Sequence, residues 1–406
     1  MPAGPIADVP VPKTASLRLG VAATFLLERA GGFTDVRGLL EGLARALEGD
    51  SVVVDRQYAV LTTMHPLVAA VTGTWRRGAA SVEVRPEPWG GANTDAFRSS
   101  PIARFFDGSH VVIRRHLCEA TCPDDFAIVS DLRAQGLTDY LAFALSNHFG
   151  SRINVFSCAT REPGGFSADQ LHTLLSLQPL MALVVEAHVD QRIATTLLRT
   201  YLGDDAGDRV LAGQVQRGQG EAIPAVVAFC DLRDFTGLSD RLPRQAVLSL
   251  LDDTFDAVVA AVAAHGGEVL KFIGDAVLAV FRARPGEEAA ACALARDAVV
   301  ELFGRVADKN ASRGTAERPT IELSVSLHVG EVHYGNIGGP SRLDFTVVGP
   351  AVNLASRLQG LCGPLGHRVV VSEAFAGFLS TSCTNLGEHR LKGLHQPVRA
   401  FALKVT

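Results

Sequence analysis

The chain has 406 residues, more than one ordinary domain needs and close to what two would use. A hydrophobic share of 47% against 20% charged residues excludes a disordered chain, and a net charge of −5 leaves no basic excess for general nucleic-acid binding. The 7 cysteines, odd in number and scattered, make no disulfide framework and fit reduced thiols in a cytoplasmic protein.

Residues 1–16 are rich in proline and alanine and read as a flexible tail without a targeting segment. Over 17–190 helical and extended patterns alternate. Residues 36–47 have helical periodicity, and 81–85, 110–114 and 151–157 read as strands. Gly164-Gly165-Phe166-Ser167 breaks the chain, and Ser167 is a good N-cap for a helix from Ala168. That helix, or a successor after Pro179, continues toward Tyr201. It reads either as a parallel dimeric connector or as a simple linker. Its apolar part, 171–189, is interrupted by His172, Gln178, Pro179, Glu186 and His188, so no membrane span is expected.

No catalytic constellation stands out in 17–190. His110, His116, Cys118, Cys122 and His148 lack a second cysteine pair to complete a zinc site and read as ordinary thiols and surface histidines. Trp75, Trp89, Phe105 and Phe106 fit either a ligand pocket or core packing. The layout of strands and helices, with its Pro-Gly-Gly-Phe-Ser turn before a long helix, resembles a GAF-type sensor domain. That resemblance implies regulation by a small-molecule ligand, relayed through a helical connector over 191–218.

The polar, glycine-containing stretch 214–221 marks the domain boundary. Beyond it the expected order is strand (224–231), helix (243–264), hairpin (268–281), helix (287–304), strands (320–330 and 343–349), helix (351–361) and strand (368–372). A short helix and two more strands follow. Val247, Leu251, Phe255, Val258 and Val262 share one helical face, stopped by His265-Gly266-Gly267. Ile321, Leu323, Val325, Leu327 and Val329 alternate as in a half-buried strand. The βαββαβ order predicts an α/β (α+β) ferredoxin-like sheet with helices on one side.

Two carboxylates stand out. Asp231 closes the apolar run 225–231, and Asp275 sits in the tip of the hairpin that topology lays beside it. Carboxylates delivered by neighbouring strands can hold a pair of hard cations at a phosphoryl centre. After Asp231, the turn through Asp234, Phe235 and Thr236 enters a helix with free backbone N–H groups suited to phosphate oxygens. Asn353 and Arg357, spaced i,i+4, share a helical face, and an amide beside a guanidinium suits a sugar oxygen and a phosphoryl group.

Together, segments 229–239, 265–281, 328–337, 343–358 and 388–393 resemble the catalytic domain of class III nucleotidyl cyclases, the adenylate and guanylate cyclase family, over 219–406. The resemblance implies that Asp231 and Asp275, helped by the Leu232 carbonyl, bind two Mg2+ or Mn2+ ions. It places Lys271 and Thr346 at the purine, Asn353 at the ribose, and Arg357 at the α-phosphate. Lys392 and Arg342 fall at the triphosphate. It implies a head-to-tail homodimer with two shared sites. Asp234 departs from the pattern, since many relatives carry glycine there.

Lys271 can only donate, which suits the adenine N1 acceptor and opposes guanine N1–H, so ATP is the expected substrate. The alternatives are guanylate cyclase or an inactive nucleotide-binding regulator. A diguanylate cyclase is opposed by the lack of its Gly-Gly-Asp/Glu-Glu-Phe signature. The threonine at 346 resembles the subclass that includes bicarbonate-responsive cyclases, which makes bicarbonate a candidate stimulator. Flat activity across bicarbonate additions at fixed pH would remove it.

Overall fold

The computed structural model describes residues 19–29, 35–108, 112–146, 153–314, 318–379 and 383–405. His110, His148 and the 1–16 tail lie outside them. The chain divides into two compact units, Met1–Leu197 and Leu198–Thr406.

The first unit runs α1 (Val21–Arg29), α2 (Val36–Gly49), β1 (Arg56–Thr62), β2 (Val68–Arg76), β3 (Glu83–Pro88), α3 (Asp95–Arg98) and α4 (Ala103–Phe106). It continues with β4 (Val112–His116), α5 (Ala127–Ala134), β5 (Asp139–Ser146), β6 (Ile153–Thr160) and most of α6 (Ala168–Leu202). Its six strands form one antiparallel sheet in the order β3-β2-β1-β6-β5-β4. One face packs on α1, α2 and α6, the other on Phe105, Phe126, Val129 and Leu132 from α4, α5 and their flanks.

Ser167 and Gln170 start α6 with a reciprocal capping box: Gln170 N donates to Ser167 Oγ at 3.2 Å, and Ser167 N donates to Gln170 Oε1 at 2.9 Å. The helix passes through Pro179 without a break. No helix among the described residues is long and apolar enough to cross a membrane. The four aromatics do not line one pocket. Trp75 on β2 and Phe105 on α4 pack on opposite faces of the sheet, while Trp89, just after β3, and Phe106 are exposed. His116 engages Glu119 through Nδ1 and the Gly164 carbonyl through Nε2.

The second unit has α7 (Asp204–Leu211), β7 (Gly220–Leu232), α8 (Phe235–Arg241), α9 (Arg244–Ala264), β8 (Glu268–Ile273), β9 (Ala276–Arg282), α10 (Glu288–Asn310) and β10 (Leu323–Gly339). After these come β11 (Arg342–Val348), α11 (Pro350–Gln359), β12 (Val369–Ser372), α12 (Glu373–Ala376), β13 (Cys383–His389) and β14 (Val398–Leu403). The central order β10-β7-β9-β8 is the expected ferredoxin-like arrangement, extended by β12, β14 and β13, with β11 also paired to β10. Gly266 ends α9 at φ +71, where a side chain would be strained.

Two expectations change. The helices do not lie on one side: α9 and α10 cover one face, while Ala206 of α7 and Ala351 and Ala355 of α11 pack on the other. Because α11 sits there, β10 is buried on both faces rather than half-buried. Its inward polar groups find partners: Ser326 Oγ donates to the Ala355 carbonyl at 2.7 Å, and His328 Nδ1 meets Ser372 Oγ at 2.8 Å.

Burial pushes His328 down from 6.5 to about 4, so its ring stays neutral in the fold. Below about pH 6.5 the unfolded chain takes up a proton that the folded chain refuses, and stability is lost progressively down to about pH 4. Between pH 7 and pH 5 the wild type should lose about 2 kcal/mol more than His328→Gln in urea unfolding. Equal losses would refute this, since the comparison cancels other titrating groups.

Candidate active site

β7 and β9 pair with Cys230 opposite Val277, which brings Asp231 at the end of one strand beside the turn before the other. That turn is the two-residue Gly274-Asp275, with Gly274 at φ +66. The two carboxyls lie within hydrogen-bonding reach. Burial first, then the Asp275 carboxylate, pushes Asp231 up from 3.8 to about 6. Hydrogen bonding from Gln359 and the Leu232 backbone opposes the rise. Two crowded carboxylates beside a strand-end carbonyl form a hard oxygen donor set able to take a divalent cation. Among the described residues no group of three or more His, Cys, Asp or Glu side chains does so, which leaves further coordination to backbone, solvent or ligand oxygens.

Gln359 was not singled out by sequence reasoning. Its Nε2 donates to Ser324 Oγ at 2.7 Å, and Ser324 lies opposite Asp231 in the ladder. Gln359 therefore fixes the end of α11 against β10, beside Asp231 on the neighbouring β7. Helical geometry then decides where Arg357 goes. Residues two apart on a helix point about 200° apart, so with Gln359 turned toward Asp231, Arg357 faces away from it. Asn353, four residues earlier, shares the Arg357 face, and both are exposed. Lys392 is exposed too. None of these three makes a side-chain hydrogen bond or ion pair among the described residues.

The turn after Asp231 is shaped by Asp234, which adopts a left-handed conformation at φ +55. A glycine takes that conformation without strain. Arg241 Nη2 pairs with the Asp234 carboxylate at 3.1 Å and offsets its charge beside the turn. Phe235 is partly buried against the core and Thr236 is exposed, at the start of α8.

On the other edge, β8 carries Lys271 and β11 carries Arg342 and Thr346. Thr346 is only 7% exposed, and Arg342 is exposed. Lys271 is not free: its Nζ donates to Asp344 Oδ2 at 2.6 Å. A second unforeseen cluster fixes α7 to the sheet. The Tyr334 hydroxyl lies 2.9 Å from an Asp205 oxygen and 3.1 Å from a Glu268 oxygen, which share its one hydrogen, and Arg282 pairs with Asp205 at 2.7 Å. Sequence pattern gave no signal for it, since Tyr334 and Asp205 lie 129 residues apart.

Comparison with known proteins places these segments. Residues 220–405 match the family described as the adenylate and guanylate cyclase catalytic domain. The chain is similar to an adenylate cyclase of Anabaena cylindrica, 29% identical over 41% of this chain and 33% of that protein. It is also similar to adenylate cyclase 1 of Rhizobium meliloti (strain 1021), 34% identical over 36% of this chain and 22% of that one. It thus spans a third or less of the length of these two relatives. A bacterial light-regulated adenylyl cyclase of known structure is 25% identical with a TM-score of 0.40, over 45% of this chain and 91% of that one. By sequence, residues 220–405, a little under half of the chain, are similar to the adenylate and guanylate cyclase catalytic domain.

Proposed function

We propose that the chain is an adenylate cyclase that converts ATP to 3′,5′-cyclic AMP and pyrophosphate at sites shared between two copies. The observation that carries this reading is the meeting of Asp231 and Asp275 at one strand end, with Asn353 and Arg357 directed elsewhere. The crowded carboxylates fit divalent cations, because a cation between them relieves their repulsion. Asp231, Asp275 and the Leu232 carbonyl would hold two Mg2+ or Mn2+ ions. When bound, such ions make the ribose 3′-hydroxyl more acidic and offset charge on the phosphoryl group.

The protein's own groups do the rest. Lys271 donates to adenine N1, and the Thr346 hydroxyl accepts from the 6-amino group. Asn353 orients the ribose so that its 3′-oxygen faces the α-phosphorus. As that oxygen attacks and its proton passes to solvent or to the nucleotide's phosphate oxygens, the bond from the α-phosphorus to the bridging oxygen breaks and pyrophosphate leaves. Arg357 neutralises charge on the α-phosphate, and Lys392 and Arg342 hold the triphosphate. Backbone N–H groups around Phe235 and Thr236 supply further contacts to phosphate oxygens.

Arg357 faces away from Asp231 of its own chain, which supports a head-to-tail homodimer in which each copy completes the other's site. The 3-2-1-6-5-4 sheet of the first unit, with its long terminal helix, supports a GAF-like regulatory role for 17–190. Incubation of the purified chain with Mn2+ and either ATP or GTP tests the reading. Cyclic AMP as the main product is expected. Cyclic GMP would make it a guanylate cyclase, and no product with either nucleotide would make it a nucleotide-binding regulator.

A further inference from the structure

The first unit holds a cavity of about 330 Å3 on the face of its sheet that packs against α2 and α6. Leu61 of β1, Val71 of β2 and Val84 of β3 supply the sheet side. Val36 closes it from the start of α2, and Val189 and Ile193 from α6. Small-molecule sites run from about 300 to 1,000 Å3, so this space suits a ligand of amino-acid size rather than a nucleotide.

The walls are held in place by the protein's own hydrogen bonds. Thr62 donates to Asn154 Oδ1 through its backbone N at 2.9 Å and through its hydroxyl at 3.1 Å. Between β1 and β2, the Thr63 hydroxyl donates to the Val68 carbonyl, and the Trp89 indole donates to the His65 carbonyl at 2.8 Å. A preformed wall spares a ligand the entropy of ordering it.

The lining carries one carboxylate, Asp35, and one guanidinium, Arg192. Asp35 caps α2: its Oδ1 accepts from Arg37 N at 3.0 Å and from Gly38 N at 3.2 Å, and its Oδ2 takes no hydrogen bond among the described residues. Arg192 is exposed, about one helical turn beyond His188 on α6. His188 is only 8% exposed, and burial first, then the Arg192 charge, holds it below its ordinary value against the opposing pull of Asp35. Both charges thus act on one neutral ring in the wall.

We propose that this cavity binds a small zwitterion with an apolar body, an apolar α-amino acid, with its ammonium on Asp35 and its carboxylate on Arg192. The apolar side chain fills the space among the valines, Leu61 and Ile193. An acid without an ammonium would meet the Asp35 carboxylate, and an amine without a carboxylate would meet the Arg192 guanidinium. Each charge rejects what the other attracts, and an uncharged molecule gains from neither. The site extends the regulatory role proposed above for the first unit. Its test reads binding alone, so it stands or falls apart from nucleotide turnover.

The full chain is titrated calorimetrically with L-valine, L-leucine, L-isoleucine, L-methionine and L-phenylalanine. At least one should bind saturably at one site per chain. The best of them is then compared with the amine that lacks its carboxylate and the acid that lacks its ammonium. Each analogue should bind roughly tenfold to a hundredfold more weakly, the weight of one hydrogen bond between charged groups. Arg192→Gln should weaken the amino acid by a similar factor and leave the amine's affinity unchanged. Asp35→Asn should also weaken the amino acid, but not the acid. Asparagine caps a helix as well as aspartate does, and Arg192 is exposed, so both variants should fold. The proposal is overturned if none of the five binds saturably, if either analogue binds as tightly as its parent, or if either variant keeps full affinity.

Discussion

Asp231→Ala and Arg357→Ala proteins, each inactive alone, should recover activity when mixed. The expectation follows from the end of α11. Gln359 reaches back to Ser324 and Asp231 in its own chain, which turns Arg357 and Asn353 outward, away from that chain's own carboxylates. On the proposed reading Asp231→Ala removes a ligand of the cations and Arg357→Ala removes the guanidinium that neutralises the α-phosphate, each a loss of about a thousandfold or more. Neither residue is buried in the core, so both variants should fold. In a random mixture about half the dimers pair one variant with the other, and each such dimer has one intact site of two. Recovery should therefore approach a quarter of wild-type activity. Differently tagged copies show whether mixed dimers form. Their presence without recovered turnover would sink the shared-site geometry.

The second unit was largely legible because its signals are local. Gly266 announces a helix stop there, as Ser167 announces a helix start in the first unit. The apolar run into Asp231 and the Gly274-Asp275 turn fixed two strand ends, and topology joined them. Signals that depend on neighbours were missed. β10 reads as half-buried because Ser324, Ser326 and His328 are polar, and only the arrival of α11 and β12 buries them with partners. β5 is an apolar run buried on both faces, and periodicity does not separate such a strand from a buried helix. β1 carries Arg56 and Gln57, and β2 carries Gly73 among small residues, which hides both strands. The Lys271–Asp344 pair was missed for the same reason, since its partners lie 73 residues apart.

Asp275→Asn should make the cation-free protein more stable while abolishing its activity. Asp231 sits partly buried with a second carboxylate beside it, and both features penalise its ionised form. An amide at 275 keeps the shape, removes the like charge and can donate to Asp231. The gain should be about 1 kcal/mol, or about 2–4 °C in Tm for a domain of this size. Turnover with Mn2+ and nucleotide should fall by about a thousandfold or more, because the donor set has lost a charge. The two effects share one origin, and a third measurement ties them together. A cation that binds only the folded wild type stabilises it by about 2.7 kcal/mol at a hundred times its Kd. Asp275→Asn should lose most of that Mn2+-dependent shift. If Mn2+ raises the Tm of the variant as much as that of the wild type, the cation is not held by Asp275. If the cation-free variant is instead less stable, the carboxylates do not repel and the strand ends are held together by something other than a bound ion.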